Sequence, residues 1–355
     1  MTFRAGSGRR ERESPGETRP LGSVPFIVIC HTSAKGWEDN EFPLVSARWM
    51  HARLQPAFLP RSFCSKGRSN MNWLDNGEAL AAIGQFLAED IGRGDITTQA
   101  TVESEVRGQG RFLAKEYLVV CGLEVAEAVF VHLDAEISEI ETGYNEGDEV
   151  EEGTVIGTLK GYADVLLTGE RVALNLLQRM CGVATLTRQY VKAIEGTAAQ
   201  IVDTRKTTPG LRLLEKYAVT IGGGKNHRMG LDDGVLIKDN HITLAGGVTE
   251  AVLAAKDTVG HLHKIEVEIS NWAQLREAIE AGADIVMLDN QTPEEAAKLV
   301  EMSRDLNPNV LIEASGGMDL DRVRSYAEAG VDLISVGRLT HAARAVDISF
   351  KIQAV

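Results

Sequence analysis

Cysteine is scarce in this sequence, with 4 residues in 355. Cys30, Cys64, Cys121 and Cys181 are scattered without CxxC spacing, which excludes a disulfide framework or a zinc site and indicates reduced thiols. Long apolar runs are missing too. The longest early run, Val24–Cys30, is far shorter than the ~20 residues of a membrane span, and no signal-peptide pattern precedes it. We therefore expect a cytoplasmic protein with no membrane partner.

Positive charge is also in short supply. The net charge is −14, while the apolar content of 44% and the charged content of 25% are ordinary for a globular protein. General binding to nucleic acid or to acidic membranes needs a basic face, so the sequence argues against both. Any anionic substrate must be bound by a local basic cluster. The length suits two domains, or one large α/β barrel with an added piece.

The first 70 residues differ from the rest of the chain. They contain 11 Lys/Arg and 6 Asp/Glu, show no helical or strand period, and are rich in Gly, Pro, Ser and Arg. This composition predicts disorder for residues 1–70. A basic tail or a targeting peptide would fit as well, but we favour a translated leader in front of a true start at Met71.

Regular patterns begin at Met71 and predict a small α/β domain over residues 71–180. Leu74, Leu80, Ile83, Phe86 and Leu87 have near-helical spacing, with Asp75 or Asn76 as a cap. Three further elements are predicted: a strand at Val106–Leu113, a helix at Gly122–Val131 and a strand at Thr154–Leu159.

The second half of the chain contains an internal repeat. The octapeptide that starts at Glu280 (EAGADIVM) recurs 48 residues later from Glu328 (EAGVDLIS). Each copy follows a predicted helix, Trp272–Ile279 or Leu320–Ala327, and leads into an apolar strand. Other apolar strands are predicted at Ile201–Val202, Val235–Ile237, Ile265–Ile269 and Val310–Ile312. Alternating strands and helices predict a parallel α/β barrel.

The predicted barrel runs from Cys181 to about Gly337, or over residues 181–339 with its last loop. Because ~157 residues is short for eight units of a ~250-residue barrel, we expect an incomplete barrel of six or seven units.

Basic side chains follow three successive predicted strands or loops of this barrel. They are Arg205, Lys206, Lys225, His227, Arg228, Lys238 and His241. The carboxyl ends of barrel strands carry the active groups, so these residues should meet at one rim. A solvated basic face is the simple alternative. Glycines beside the cluster permit close backbone approach, and we favour an anion site in which Arg binds carboxylates and Lys binds phosphate or a developing carbanion.

Acidic residues and glycine-rich loops follow the later strands. Alternation in Ile265–Ile269 places Glu266 and Glu268 on the face opposite the aliphatic residues, and Asp289 ends the next strand. We expect Glu266 to form structural ion pairs with the basic rim. Glu268 and Asp289 are expected to hold ribose hydroxyls, a magnesium ion or a developing positive charge. Ser315–Gly317 and Ser335–Gly337 follow the last strands, where backbone N–H groups commonly bind phosphate.

These motifs together resemble quinolinate phosphoribosyltransferase, the carboxylating nicotinate-nucleotide pyrophosphorylase, from about Met71 to the C-terminus. The segments that carry the resemblance are Glu170-Arg171, Ala173–Asn175, Asp203–Gly210, Gly222–Arg228, Leu236–His241, Glu268, Leu288–Asn290, Ser315–Gly317 and Ser335–Gly337. The first 70 residues have no counterpart in the family pattern.

The resemblance implies an N-terminal α/β sandwich-like domain, completed by residues 340–355, and an incomplete α/β barrel. It further implies transfer of phosphoribosyl from phosphoribosyl pyrophosphate (PRPP) to quinolinate with decarboxylation, as a step of NAD biosynthesis. The expected assembly is a head-to-tail homodimer with a shared site, to which Arg171 is donated by the neighbouring subunit; assembly beyond the dimer is left open.

The resemblance also implies a role for each site residue. Arg205, His227, Arg228 and Lys238 would bind the two carboxylates of quinolinate, and Thr204 would line the site. Lys206 would lie between quinolinate and PRPP. Glu268 and Asp289 would hold the ribose together with Mg²⁺, and the loops Ser315-Gly316-Gly317 and Ser335-Val336-Gly337 would hold the 5′-phosphate.

The sequence departs from the family pattern in a few places. Arg338 and Ala342 replace a small residue and a Ser, Arg344 follows them, and Cys181 stands where a Ser is expected. Three alternatives stay open. Either Lys206 or Lys238 could stabilise and protonate the carbanion left by CO₂. The ring could be nicotinate or another ring without the 2-carboxylate, or the chain could bind anions without catalysis.

Overall fold

The computed structural model describes residues 77–355. The predicted leader, the start at Met71 and the cap at Asp75 or Asn76 lie outside the described residues. The described residues form a three-stranded antiparallel sheet, a six-stranded parallel sheet, and a two-stranded antiparallel pair of Leu118–Val119 with Glu149–Val150. None of the helices in the described part is long and apolar enough to cross a membrane.

The smaller sheet consists of three antiparallel strands in the order β11-β1-β4. Its strands alternate between buried and exposed positions, as in β1. The C-terminal strand β11 pairs with β1 along its length, so the end of the described chain joins its first strand in one sheet. The strands of this half are β1 (Arg107–Ala114), β2 (Leu118–Val119), β3 (Glu149–Val150), β4 (Val155–Tyr162) and β11 (Ile348–Ala354).

Four helices accompany this sheet, and aromatic side chains fill the space beneath it. The rings of Phe112 and Phe350 lie 4.6 Å apart between centroids, and those of Phe130 and Phe350 lie 5.7 Å apart. The helices are α1 (Gly77–Ile91), α2 (Ile96–Thr101), α3 (Leu123–Leu133) and α4 (Ala163–Ala193). The predicted helix and strands of this half are present within three residues of their predicted ends.

The larger sheet has six parallel strands in the order β5-β10-β9-β8-β7-β6. The first strand of the barrel, β5, pairs with the last, β10. On its other side, β5 forms an isolated bridge between Val202 and Lys225. The barrel is therefore incomplete between β5 and β6. The strands are β5 (Gln200–Val202), β6 (Val235–Ile237), β7 (Ile265–Ile269), β8 (Ile285–Asp289), β9 (Leu311–Ser315) and β10 (Leu333–Ser335).

Helices separate these strands, as the alternating pattern predicts. Capping explains several of their ends: Asn271 caps α8, Thr292 and Glu295 form a capping box on α9, and Gly282 ends α8 in the left-handed conformation. The helices are α5 (Arg212–Ile221), α6 (Asp239–Ala245), α7 (Val248–Thr258), α8 (Trp272–Ala281), α9 (Pro293–Leu306), α10 (Val323–Glu328) and α11 (Arg338–His341). The predicted helix at Leu320–Ala327 begins later, at Val323, because residues 320–322 form a turn.

One helix links the two sheets. The 31-residue helix α4 begins directly after β4 and ends seven residues before β5. The predicted domain border between residues 180 and 181 lies inside this helix. Its buried face contributes to one continuous hydrophobic core that reaches both sheets.

Candidate active site at the carboxyl ends of the barrel strands

A cavity of about 620 Å³ opens at the carboxyl ends of the barrel strands. Its walls come from the segments that follow β5, β6, β7, β8, β9 and β10. The lining residues are Thr204, Arg205, Lys206, His227, Arg228, Leu236, Lys238, Glu268, Met287, Asp289, Asn290, Glu313, Ser315, Gly316, Gly317, Met318, Ser335, Gly337, Arg338 and His341. The structure thus brings together most of the residues predicted from the strand ends.

The cavity carries more positive than negative charge, although the chain is acidic. Five Lys or Arg residues line it, against the three carboxylates of Glu268, Asp289 and Glu313. Burial, and after it the nearby charge of Arg205, lower the pKa of Arg228. An anion beside Arg228 and Arg205 would offset this repulsion, so this basic wall is suited to bind carboxylates.

A buried ion pair fixes the two segments that carry these arginines. Lys216 and Asp203 are fully buried and form a salt bridge. Asp203 Oδ1 accepts the backbone N–H of His227 at 2.9 Å, and Lys216 Nζ donates to the His227 carbonyl oxygen at 3.0 Å. Burial raises the pKa of Asp203 and lowers that of Lys216. The pair therefore ties the segment after β5 to the one before β6.

A second network fixes the far end of the segment after β5. Glu215 Oε2 accepts the backbone N–H of Thr208 at 3.0 Å, and Arg179 on α4 donates to Glu215 and to the Thr340 carbonyl oxygen. The Thr340 hydroxyl donates to the Lys206 carbonyl oxygen at 2.8 Å. The backbone of Lys206 is thus held from both sides, while its side chain is exposed in the cavity.

The carboxylates and the first glycine-rich loop line a part of the cavity that meets the basic residues at Lys238. Glu268 Oε2 lies 3.3 Å from Lys238 Nζ, and Asn290 Nδ2 donates to Asp289 Oδ2 at 2.8 Å. Gly316 has a φ of 102° and lies so close to Asn290 that a Cβ would be 2.2 Å from the Asn290 side-chain oxygen. A residue with a side chain would not fit there, so the loop depends on glycine.

The second glycine-rich loop also lies at the cavity. Ser335 and Gly337 line it, and Gly337 packs beside the Lys206 side chain. Val336 is the exception among the predicted loop residues: it is fully buried, and its N–H donates to the Val202 carbonyl oxygen at 2.9 Å. The Val336 N–H is therefore engaged in the barrel and faces no ligand in the cavity.

A buried acidic cluster lies behind His227. His227 Nε2 is 2.9 Å from Glu266 Oε2 and 3.7 Å from Glu313 Oε2. Glu266 was expected to pair with the Lys/Arg rim, but its partner is this histidine. Burial and the charge of Glu266 raise the pKa of Glu313 to about 8. Sequence reasoning missed Glu313, although a charged residue inside the apolar run Leu311–Ala314 is the signal that identifies it.

Four predicted or divergent residues lie away from the cavity. Arg171 is exposed on α4 and does not line the cavity of its own chain. Lys225, which was expected at the basic rim, instead lines a separate cavity of about 410 Å³. Arg344 forms a salt bridge with Glu116, whose pKa it lowers to about 2. Cys181 is buried, with its thiol 3.3 Å from the Cys121 carbonyl oxygen.

Some residues at the strand ends line the cavity although no role was predicted for them from the sequence. Arg338 and His341 at α11 and Asn290 after β8 all line the cavity. The fold and the site therefore define an α/β-barrel protein with a site for small polyanions, in which basic groups face carboxylates and two glycine-rich loops.

Comparison with known proteins identifies the family. The family described as quinolinate phosphoribosyl transferase, N-terminal domain, matches residues 95–181, and its C-terminal domain matches residues 183–351. The chain is 47% identical to a probable nicotinate-nucleotide pyrophosphorylase [carboxylating] of Synechocystis sp. over 268 residues, covering 76% of this chain and 90% of that protein. The corresponding protein of Bacillus subtilis is 44% identical, with 76% and 92% covered.

Solved structures agree with this assignment. NadC from Streptococcus pyogenes is 35% identical, with a TM-score of 0.75, and covers 81% of this chain and all of its own. The nicotinate-nucleotide pyrophosphorylase from Francisella tularensis is 40% identical, with the same TM-score and the same coverage. The chain belongs to the quinolinate phosphoribosyltransferase family.

Proposed function

We propose that the protein transfers the phosphoribosyl group of PRPP to quinolinate with loss of CO₂. The products would be nicotinate mononucleotide and pyrophosphate, in de novo NAD biosynthesis. The observation that carries this proposal is the cavity itself, which brings five Lys or Arg side chains together with Glu268, Asp289 and two glycine-rich loops. The names of the relatives, which include quinolinate phosphoribosyltransferase [decarboxylating] proteins of Nicotiana tabacum, support it.

The basic wall would bind the pyridine dicarboxylate. Arg205, Arg228 and Lys238 supply three positive charges, and His227 lies between the arginine segments and the buried glutamates. Arginine can bind a carboxylate with two parallel hydrogen bonds, so the wall has capacity for two carboxylates. A ring with one carboxylate would leave part of this charge without an anion, which favours quinolinate over nicotinate.

The two glycine-rich loops, together with Glu268 and Asp289, would bind the phosphorylated sugar. Ser315–Gly317 and Ser335–Gly337 would hold the 5′-phosphate, and Glu268 and Asp289 would hold the ribose hydroxyls. Carboxylate oxygens suit Mg²⁺, which usually takes one or two protein carboxylates and completes its shell with water and substrate oxygens. Two carboxylates therefore fit an ion that arrives with PRPP. Its contribution would be to neutralise charge on the departing pyrophosphate.

The residues of the chain would act chiefly by position and charge. Holding the pyridine nitrogen in line with the anomeric carbon removes several kcal/mol of the barrier. Glu268 and Asp289 would stabilise the positive charge that develops on the sugar as pyrophosphate leaves. The bond from C2 to its carboxylate then breaks, CO₂ departs, and a lysine at the shared boundary would stabilise and protonate the carbon left behind.

The site would be completed by a second subunit. Arg171 is exposed on α4 and does not line its own cavity, as expected for a residue that reaches the site of a neighbouring chain. We therefore include a homodimer with a shared active site in the proposal. Arg338 adds a further positive charge to the cavity beside the second glycine-rich loop, where it would contact a PRPP phosphate.

A product assay tests the proposal directly. The protein is mixed with PRPP and Mg²⁺, and quinolinate, nicotinate and nicotinamide are added in separate reactions while pyrophosphate and CO₂ are measured. Release of both products with quinolinate alone is the expected result. Pyrophosphate without CO₂ from nicotinate would show a different acceptor. Absence of products in all three reactions would contradict catalysis, and omission of Mg²⁺ tests the metal requirement.

A further inference from the structure

The cluster of His227, Glu266 and Glu313 is buried and incompletely paired. Glu266 is 3% exposed and Glu313 is 0% exposed. Both oxygens of Glu313 and the Oε1 of Glu266 have no hydrogen-bond partner in the part of the chain that the structure describes. Unpaired buried carboxylates are costly, so the cluster favours binding of a cation or a proton.

A metal ion is the first possibility. One ring nitrogen and one oxygen from each carboxylate lie within 4.8 Å of one another, which is compatible with metal binding. However, His227 Nδ1 accepts the backbone N–H of Arg228 at 2.8 Å. The ring proton must then lie on Nε2, which donates to Glu266 at 2.9 Å. A metal-bound histidine usually donates from its second nitrogen, so this arrangement argues against a metal ligand.

A proton is the second possibility, and His227 and Glu313 compete for it. Desolvation lowers the pKa of His227, but Glu266 and Glu313 outweigh it and raise that pKa, while burial and Glu266 raise the pKa of Glu313. Because Nδ1 of His227 is already an acceptor, an additional proton on the ring would break that bond. The geometry therefore favours Glu313 as the group that keeps the proton.

The surroundings of Glu313 offer little other compensation, since Ser335 lowers its pKa but exerts the smallest of the effects on it. The groups that act on it are Glu266 from β7, His227 and Ser335 from β10, and its register partner on β8 is Met287. No lysine or arginine is among them. Glu313 also lines the cavity, so its charge state changes the potential that a bound anion experiences.

We propose that Glu313, in the cavity wall, is protonated when a dicarboxylate is bound. The neutral acid allows the dianion to bind, and binding causes Glu313 to take up a proton where it is still ionised. The inference rests on the proposed function, because quinolinate is the dicarboxylate concerned. An ionised Glu313 would add a third negative charge to the cavity and oppose a dianion. The protonated acid removes that repulsion and makes Glu313 a positioning residue that acts through His227 and the local potential.

The consequence is a defined dependence of quinolinate binding on pH. The carboxyl of Glu313 loses its proton as the pH rises through about 8, so affinity should be full below this pH and fall above it. By linkage, the dissociation constant should rise about tenfold between pH 7 and pH 9, and roughly half a proton should be taken up per quinolinate at pH 8.

Calorimetric titration of the whole protein with quinolinate tests this, in pairs of buffers that differ in ionisation enthalpy. Glu313→Gln mimics the protonated acid, so we expect proton uptake near zero and a dissociation constant that changes less than about twofold from pH 7 to pH 9. Glu266→Gln removes the neighbouring charge that raises the pKa of Glu313. The fall in quinolinate affinity should therefore begin at a lower pH in this variant. Glu127→Gln, a buried glutamate on α3, is the matched control and should behave like the wild type.

Two results would overturn the inference. One is quinolinate binding by the wild type with no proton uptake at pH 8, a measurement that needs no variant to fold. The other is uptake that persists in Glu313→Gln, which would assign the proton to His227. Failure of the proposed function is distinct: the wild type would then neither bind quinolinate nor release products at pH 7.

Discussion

Lys206 and Lys238 both line the cavity, but their surroundings differ. Lys238 Nζ lies 3.3 Å from Glu268 Oε2, so its charge is partly neutralised. Lys206 takes part in no ion pair within residues 77–355, and its backbone is fixed through Thr204 and Thr340. An ammonium group without a carboxylate partner, on a fixed backbone, is the better donor to a developing carbanion. On this ground we propose Lys206, in preference to Lys238, for that role.

Lys206→Ala should abolish turnover while quinolinate binding stays measurable. General acid catalysis contributes about 10²–10⁴-fold, so we expect kcat to fall by at least about 100-fold with a small change in the dissociation constant of quinolinate. Lys238→Ala is the comparison, and it should weaken quinolinate binding more than Lys206→Ala does. Stopped-flow or steady-state assays with calorimetry separate the two effects. Near-normal turnover in Lys206→Ala would exclude the assigned role.

At the scale of the residue, the sequence identifies side chains at strand ends better than side chains inside strands. Arg205 and Lys238 were predicted because they follow apolar strands, and Arg228 because it follows the glycine run Gly222–Gly224 in a loop of the barrel. Glu313 was missed because its significance depends on Glu266, which lies 47 positions earlier in the chain and on another strand. Such a pair becomes visible only when the register of the barrel is known.

Helices and strands position the site through buried polar contacts. Lys216 on α5 contacts Asp203 at the end of β5 and the carbonyl oxygen of His227 before β6. These contacts close the side of the barrel where β5 and β6 do not pair. The buried ion pair therefore holds the segments around β5 and β6 together, as the hydrogen bonds of a complete sheet would otherwise do.

Lys216→Met should reduce both stability and quinolinate binding. It leaves Asp203 buried without its partner, which typically costs about 3–5 kcal/mol of unfolding free energy. It also releases His227 and Arg228 from their fixed position. Urea denaturation followed by calorimetric titration measures both effects. Lys264→Met is the matched control, because Lys264 is 66% exposed and pairs with Asp284, and its loss should cost less than about 1 kcal/mol.

The control also defines a negative outcome. If Lys216→Met unfolds at the same urea concentration as Lys264→Met, the buried pair does not hold the two segments.

The strands β5 and β6 could be predicted from their apolar residues. The gap between them could not, because strand pairing is a property of register and not of composition.

The two halves of the molecule are joined more closely than the sequence suggests. The predicted domain border lies between residues 180 and 181, yet α4 runs continuously from Ala163 to Ala193. Gly182 lies within this helix, and glycine lowers helix propensity, which obscures the continuity. A Cβ at Gly182 would lie 2.0 Å from the Arg344 carbonyl oxygen, so this glycine allows the C-terminal segment to pass over the helix. That contact joins distant parts of the chain and cannot be inferred locally.

The exposed Arg171 on the same helix gives a test of the whole assembly. If Arg171 completes the site of the other subunit, Arg171→Ala should lose most activity through weaker quinolinate binding. Mixing Arg171→Ala with Lys206→Ala should restore activity, because a mixed dimer contains one barrel with Lys206 and a partner with Arg171. If subunits exchange at random, half of the dimers are mixed, and each mixed dimer has one working site of two. The mixture should therefore reach about a quarter of wild-type activity. Activity of the mixture that equals the average of the separate variants would place Arg171 in its own subunit's site, and would contradict the shared site whatever the stoichiometry of the assembly.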